Sequence, residues 1–309
     1  MRVGAVITAA GMSSRMGDFK PMMSIGKISI AQRTIATLRQ AGAEKIVVVT
    51  GCNAEELERH LAPSGVIFLR NENFSSTQMF DSACIGFEYM RDKCDPVLFT
   101  PVDIPLFTAR TVERLLESGR ELACPVYEGE PGHPILMSGA VIERVLCDSG
   151  EGGLQGALSR CGFEEHFVQV NDPGILMDAD TQTDYRALLE LHNSQLVRPV
   201  SNAELAKERV FFDRRVAMLL SLVDETQSVR LACRRMQLSY SSGWNTIKLV
   251  EEQLGRAVVS RSQGGAGGGK SELTQVGKEL LGRYERFVRE LTAEADRLFG
   301  EIFDDFFQS

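Results

Sequence analysis

The residues best equipped for chemistry lie close to the N-terminus, in Ala9-Ala10-Gly11-Met12-Ser13-Ser14-Arg15-Met16-Gly17-Asp18-Phe19-Lys20-Pro21. Small side chains at Ala9, Ala10, Gly11, Ser13 and Ser14 let a ligand approach the backbone, and successive amides in such a loop form a cradle for an anion. Arg15 and Lys20 put two cations within reach of the same anion. The spacing is neither GxGxxG nor GxxxxGK[ST], so the dinucleotide fingerprint and the P-loop both fail. A plain strand-to-helix turn carrying two solvated cations has the same composition.

A second set of residues is acidic or basic at the ends of apolar runs. Leu98-Phe99-Thr100-Pro101-Val102-Asp103-Ile104-Pro105-Leu106 reads as a buried strand that ends at Asp103. An aspartate there suits Mg²⁺, which takes oxygen ligands and binds phosphates beside one or two carboxylates; a helix cap or turn is the plainer role. Met177-Asp178-Ala179-Asp180-Thr181-Gln182-Thr183-Asp184-Tyr185 offers three more carboxylates, and Gly132-His133-Pro134 one imidazole that an ordinary turn would also explain.

These groups need a scaffold, and the first ~190 residues supply one by alternation. Val3–Thr8, Lys45–Thr50, Val66–Leu69 and Pro96–Thr100 are β-branched runs expected as strands. Ile28–Ala41, Ala54–Leu61, Gln78–Tyr89, Thr111–Ser118 and Thr183–His192 are expected as helices. Strands alternating with helices imply βαβ units and a Rossmann-like α/β fold, its mostly parallel sheet covered on both faces. Ligands of such sheets sit beyond the C-terminal ends of the strands, where the loops above fall.

With those residues in view, AAGxSxRMGxxK resembles the signature loop of the MobA-like nucleotidyltransferases, above all the molybdenum cofactor cytidylyltransferases. The resemblance implies that Ala9, Ala10, Gly11, Ser13, Ser14, Arg15 and Lys20 grip the triphosphate of a nucleotide, CTP being favoured. It implies that Asp103 binds the catalytic Mg²⁺, that Asp180 occupies a second metal position, and that His133 faces a molybdopterin-type acceptor. Arg15, Lys20 and Asp103 would be the catalytic set, and Asp178 and Asp184 would cap or start the next helix. Asn71–Ser82 takes the place of a base-contacting segment that usually reads G-M-x-x-S; Met79 and Ser82 are kept, and Gln78 replaces the glycine. Asp148-Ser149-Gly150-Glu151-Gly152-Gly153-Leu154 is similar to a family loop D-x-G-x-R without its arginine. The reaction implied is attack by an acceptor phosphate on the α-phosphorus of a nucleoside triphosphate, with pyrophosphate leaving.

The pattern changes after Asn193–Pro199, an aperiodic stretch with a proline, so residues 1–194 are expected as one domain, 195–208 as a linker and 209–309 as a second domain. Val210–Asp224 is expected as a helix, Ser228–Met236 as a short helix and Tyr240–Leu254 as another after a tight turn. Spacing of this kind suits a helix-turn-helix, with Ala232 permitting close helix packing. Ser241, Ser242, Asn245, Thr246 and Lys248 are the candidate contacts to double-stranded DNA, and Lys270 would reach phosphate from the flexible tip of a β-wing over Val258–Thr274. Leu219–Leu281, including Trp244 and the glycine-rich Gly264–Gly269, resembles the N-terminal domain of the molybdate-responsive regulator ModE, related to LysR-type winged helices. Val276, Leu280, Tyr284, Phe287, Leu291, Ala295, Leu298 and Ile302 follow at steps of three or four, a heptad seam for a long helix pairing in a homodimer.

Composition sets the bounds. The 309 residues are 43% hydrophobic and 25% charged, as in globular domains. Residues 1–195 hold 17 Lys+Arg against 26 Asp+Glu and residues 196–309 hold 17 against 16, so the first part repels polyanions and the second does not. Seven scattered cysteines with no CxxC pair point away from zinc and disulfides and towards a reducing cytoplasm. No apolar run approaches the ~18 residues of a membrane span. Three functions remain open: a cofactor nucleotidyltransferase that also regulates transcription, a catalytically silent sensor governing a transcription factor, and transfer to a sugar phosphate or other phosphate acceptor.

Overall fold

The computed structural model describes residues 2–11, 19–178, 182–194, 199–200, 202–262 and 270–307. The chain divides into two compact units, Met1–Gln195 and Leu196–Ser309.

The first unit runs β1 (Gly4–Ala9), β2 (Ser24–Ile25), β3 (Ile28–Ser29), α1 (Ile30–Gln40), β4 (Lys45–Thr50), α2 (Ala54–Leu61), β5 (Ile67–Arg70), α3 (Met79–Met90), β6 (Val97–Pro101) and α4 (Ala109–Glu117). It continues with β7 (Leu122–Tyr127), β8 (Glu130–Pro131), β9 (Ile135–Met137), α5 (Gly139–Leu146), α6 (Gly153–Arg160), β10 (His166–Gln169) and α7 (Gln182–Ser194). The main sheet has the order β10-β7-β9-β6-β1-β4-β5, with β8 on β7. Neighbours β6, β1, β4 and β5 are parallel, as are β7 and β10, while β9 runs antiparallel between β6 and β7.

All six residues of β1 and of β4 are buried, because both faces of the sheet are covered. Side chains alternate across a strand, so one face of β1 and β4 offers Ala5, Ile7, Ile46 and Val48 to Ile35 and Leu38 of α1. The other face offers Val6 and Val49 to α3, and here the helix approaches so closely that a Cβ on Gly86 would stand 2.4 Å from Val6 Cγ1. Burying each Leu, Ile or Phe of this core contributes roughly 1.5–3 kcal/mol.

The expected helix from Ile28 starts two residues later. Ile28–Ser29 pairs with Ser24–Ile25 as a small hairpin, and Ser29 then caps α1. Ser29 Oγ accepts from the Gln32 amide at 3.2 Å, and Gln32 Oε1 accepts from the Ser29 amide at 3.0 Å. That capping box fixes the helix start.

In the second unit come β11 (Leu205–Ala206), β12 (Val210–Phe212), α8 (Arg214–Thr226), α9 (Val229–Arg235), α10 (Tyr240–Leu254), β13 (Val259–Ser262), β14 (Lys270–Leu273) and α11 (Gln275–Phe307). The expected helix from Val210 is corrected at its first turn: Val210–Phe212 is a strand, and Asp213 starts α8 by accepting the Val216 amide at 2.9 Å. Its antiparallel partner β11 falls inside the expected linker 195–208. Ser228 and Ser239 cap α9 and α10 in turn, and the two helices cross where a Cβ on Gly243 would lie 2.2 Å from Cys233 Sγ. Ala232 is fully buried beside this crossing, but the tightest approach belongs to Gly243.

Strands β13 and β14 form an antiparallel hairpin. Glu251 of α10 holds its base, accepting the amides of Val258 and Val259 at 2.8 and 3.1 Å. Lys270 is the first residue of β14 and not part of a tip, and it is ion-paired with Glu272. Helix α11 has 33 residues, about 50 Å at 1.5 Å each. Its first turns pack on their own unit: Tyr284 is buried against Phe212 with ring centroids 5.0 Å apart, and its hydroxyl donates to Ala203 O at 2.8 Å. Further along the heptad seam Phe287, Leu298 and Ile302 are exposed. Among the described residues no helix is long and apolar enough to cross a membrane.

Candidate active site

Strands β6, β1 and β4 are adjacent and parallel, so the loops leaving their C-terminal ends converge on one place. There the first unit has a cleft of about 210 Å³. Thr8, Ala9, Ala10, Gly11, Lys20 and Pro21 line it from the end of β1 and the following loop. Phe74, Thr77 and Gln78, with Met79 and Ser82 of the first turn of α3, make a second wall, and Pro101, Val102 and Asp103 close it from β6. Of the residues expected at the site from sequence, Ala9, Ala10, Gly11, Lys20, Met79, Ser82 and Asp103 are therefore brought together. Ser13, Ser14, Arg15 and Asp180 lie outside the described residues.

Each wall has a local cause. Val102 donates its amide to Thr8 O at 3.0 Å, which carries the β6–β1 pairing one step past the strand and sets Asp103, half-buried, at the rim. Lys20 is buried at the start of a 3-10 turn whose next residue, Pro21, cannot donate an amide. Gly51, just past β4, touches both Ala10 and Phe74; a Cβ there would stand 2.7 Å from Phe74 Cβ and 2.8 Å from Ala10 O. Any larger residue would push apart the two loops that form the walls.

Asn71 organises the second wall. It is buried, and its Nδ2 donates to Thr77 Oγ1 at 2.8 Å and to Ser82 Oγ at 3.0 Å, while its Oδ1 accepts the Asn73 amide at 3.0 Å. One side chain thus ties the loop after β5 to the first turn of α3. That turn is also held by Asp81, which accepts the Gln78 amide at 2.8 Å. Met79 and Ser82 bring the N-terminus of α3 to the cleft, where the positive end of the helix dipole favours an anion.

Thr8 Oγ1 is the least expected feature of the cleft. It is buried and has no hydrogen-bond partner among the described residues, so a hydroxyl faces the cleft floor. Sequence reasoning stopped at Ala9 and passed over Thr8, Phe74, Thr77, Pro101 and Val102. A six-residue apolar strand gives no sign that its one hydroxyl, Thr8, meets a ligand and not the core.

His133 does not line this cleft. It packs edge-on to Phe99 with centroids 5.9 Å apart, its amide donates to Ile175 O at 3.0 Å, and its Nδ1 is buried without a partner among the described residues. Burial pushes its pKa down to about 4, so the ring is neutral at physiological pH. In the antiparallel β6–β9 register Phe99 faces Ile135, which sets His133 near the level of Pro101 at the end of β6.

The segment leading to Asp178 is fastened beside the loop that follows Asp103. Asp172 is buried and accepts from the Thr108 amide at 2.7 Å, from Thr111 Oγ1 at 2.5 Å and from the Gly174 amide at 3.1 Å. Gly174 in turn sits so close to Leu106 O that a Cβ would be 2.1 Å away. Asp184 lies in the first turn of α7, where its charge favours the helix dipole.

Where the loop at Asp148 lacks an arginine in sequence, α6 provides one. Arg160 donates to Asp148 Oδ2 and Oδ1 at 3.0 and 2.7 Å and to Glu151 O at 2.6 Å. The guanidinium holds the Asp148 carboxyl down at about 2. Gly150 in the same loop rests on Phe80 of α3, so this loop and the second wall of the cleft share support.

No group of three or more His, Cys, Asp or Glu side chains converges among the described residues. An ion held partly by phosphate oxygens, as Mg²⁺ is, needs only one or two carboxylates from the protein. One carboxylate opposite a buried lysine, a free hydroxyl and a helix N-terminus make an arrangement suited to a polyphosphate.

The comparisons agree with that geometry. A molybdenum cofactor cytidylyltransferase from Escherichia coli is 28% identical over 188 residues, 59% of this chain and 93% of the relative. A nucleotidyl transferase from Methanothermobacter has the same fold, with a TM-score of 0.56 and 22% identity over 62% of this chain and 98% of that one. The transcriptional regulator ModE of Yersinia pestis is 32% identical over 79 residues, which span 26% of this chain and only 30% of that regulator. Residues 5–170 match the MobA-like NTP transferase domain, and the chain belongs to this family as a nucleotidyltransferase.

Proposed function

We propose that the first unit transfers a nucleotidyl group, CMP from CTP, to the phosphate of a molybdopterin-type cofactor, and that the second unit binds double-stranded DNA as a winged helix-turn-helix. The carrying observation is the cleft that gathers Ala9–Gly11, Lys20, Asp103 and the N-terminus of α3 beyond three parallel strands. An acceptor phosphate oxygen bonds to the α-phosphorus while the bond to the β-phosphate oxygen breaks, and pyrophosphate leaves. Lys20 and the amides of the first loop offset the charge that grows on the non-bridging and leaving oxygens. Asp103, joined by Asp180 from outside the described residues, would hold Mg²⁺, whose contribution is to neutralise the triphosphate. Met79 and Ser82 contact the base, Arg15 assists Lys20, and His133 acts on the acceptor side.

Similarity to the cytidylyltransferase over nearly that protein's full length favours this acceptor over a sugar phosphate. Support for DNA binding comes from the 79-residue likeness to ModE and from the exposed Ser241, Ser242, Asn245 and Lys248 on α10. Thr246 Oγ1 is turned back onto Ser242 O at 3.0 Å and is the weaker candidate. The exposed apolar seam on α11 is proposed to close against a second copy, which gives the two-fold symmetry of a half-site reader.

The test is a screen of the four ribonucleoside triphosphates with molybdopterin-type acceptors and Mg²⁺, read as pyrophosphate release. CTP should give the highest turnover. Asp103→Ala should abolish release while the circular dichroism spectrum stays unchanged. Full turnover in that variant refutes the assignment.

A further inference from the structure

Two exposed arginines of the second unit each lie over an aromatic ring. Arg209, Arg283, Arg286 and Arg297 all pair with a glutamate. Arg230 and Arg261 have no carboxylate or hydrogen-bond partner among the described residues, and each lies over an aromatic ring of α10 instead. The Arg261 guanidinium from β13 is 3.3 Å from the Trp244 centroid, and that of Arg230 from α9 is 5.7 Å from the Tyr240 centroid. Tyr240 and Trp244 are four residues apart on one helix face and meet edge to face at 6.2 Å. The row Arg230, Tyr240, Trp244, Arg261 therefore joins α9, α10 and the hairpin.

We propose that this row is a pre-organised clamp for the phosphate backbone of duplex DNA, with Arg230 and Arg261 each contacting a phosphate while α10 meets the groove. The inference rests on the DNA-binding reading of the second unit and names residues which that reading did not use. A guanidinium stacked on a ring spends its face on the contact and keeps its in-plane N–H donors for an acceptor. The fork of donors matches the oxygens of a phosphate; Arg261, 3.3 Å over its ring, presents it already ordered, while Arg230 is steered by a looser cation–π contact. The platform is stiff at both ends. Glu251 pins the base of the hairpin to α10, and Gly243 lets α9 sit directly on α10. Arg230, Arg261 and Tyr240 are all exposed, so a duplex can reach them.

The experiment uses the full chain and a short duplex of mixed sequence, with affinity followed across a salt series. Trp244 is the single tryptophan of the chain, so its fluorescence reports contact with the Arg261 platform directly. Wild type should bind with a linear fall of log K against log salt and a change in Trp244 emission. Arg230→Ala and Arg261→Ala should each reduce that slope by about 1, the share of one phosphate contact. Arg261→Lys should keep the slope and lose the emission change, because an ammonium holds its charge without stacking flat on the indole. Thermal melts of each variant separate a staple from a clamp. A lower melting temperature with an unchanged slope overturns the proposal while leaving DNA binding intact. Failure of wild type to bind any duplex overturns the DNA-binding reading itself, and the clamp with it.

Discussion

Replacing Asn71 by alanine should weaken the nucleotide site from behind, without touching a reacting atom. The side chain makes three hydrogen bonds, to Thr77, Ser82 and Asn73, at 2.8 to 3.0 Å. Each is worth about 1 kcal/mol net, and leaving the buried Ser82 hydroxyl without its donor keeps that one at the upper end. Thr77 and Asn73 are partly open to water, which replaces some of what they lose. A destabilisation of about 2–3 kcal/mol follows. The Ser82 bond can be isolated in a cycle with Ser82→Ala, where a coupling of about 1 kcal/mol is expected. Function should change in a particular way. Thr77, Gln78 and Met79 line the cleft far from the transferred phosphorus in this reading, so their loss removes binding common to substrate and transition state. The nucleotide KM should rise severalfold while kcat is largely kept. Calorimetry gives the stability, with the first-unit transition identified by its shift on adding nucleotide, and pyrophosphate release gives the kinetics. A coupling below about 0.3 kcal/mol, within ordinary additivity error, or a kcat loss with KM unchanged, would show that Asn71 does not organise this wall.

Two further outcomes follow from crowding and burial. Gly243→Ala should destabilise the second unit by about 1–2 kcal/mol, since a Cβ 2.2 Å from Cys233 Sγ must displace it; in a Cys233→Ala background the same change should stabilise by up to about 1 kcal/mol through helix propensity, and urea melts that show one sign in both backgrounds would refute the crossing. His133, with its pKa lowered to about 4, is neutral in the folded state while the unfolded chain takes up the proton near 6.5. Its contribution is therefore full above pH 6.5 and lost as pH falls towards 4, by about 2–3 kcal/mol; His133→Gln should flatten the stability profile in that window, and an unchanged slope between pH 4 and 6.5 would exclude the imidazole as its cause.

How much of this was legible beforehand depended on whether a signal was local. Lys20 and Asp103 could be found because each belongs to a contiguous run whose residue types already state the chemistry, a small-residue loop with cations and an apolar strand ending in a carboxylate. The strands β1, β4, β5 and β6 were likewise visible, being β-branched and bounded by turns. Strands β7, β9 and β10 were not. Leu122–Tyr127 contains a proline and a cysteine, and Ile135–Met137 is three residues long and antiparallel, so neither shows a period to read. Val210–Phe212 was absorbed into a helix because apolar residues continue at helical spacing into α8. Only the capping of that helix by Asp213 reveals the break.

The rest of the site was hidden because it is made by register. Thr8 faces the cleft because β1 pairs with β6 so that Thr8 stands level with Pro101, and a one-residue slip would turn it into the core. Gly51, Gly132 and Gly174 look like any turn glycines in sequence, yet each sets the distance between segments far apart in the chain: Gly51 lets the loops after β1 and β5 touch, Gly132 lets the loop before β9 lie on Ile175, and Gly174 lets the Asp178 segment lie on the Asp103 loop. Asn71 would be dismissed as a loop residue without knowing that Thr77 and Ser82 return to it. Motif residues identify what a cleft can bind, since their chemistry is intrinsic. The residues that hold the cleft in shape carry no such mark, because their role exists only once strands distant in sequence have been brought side by side.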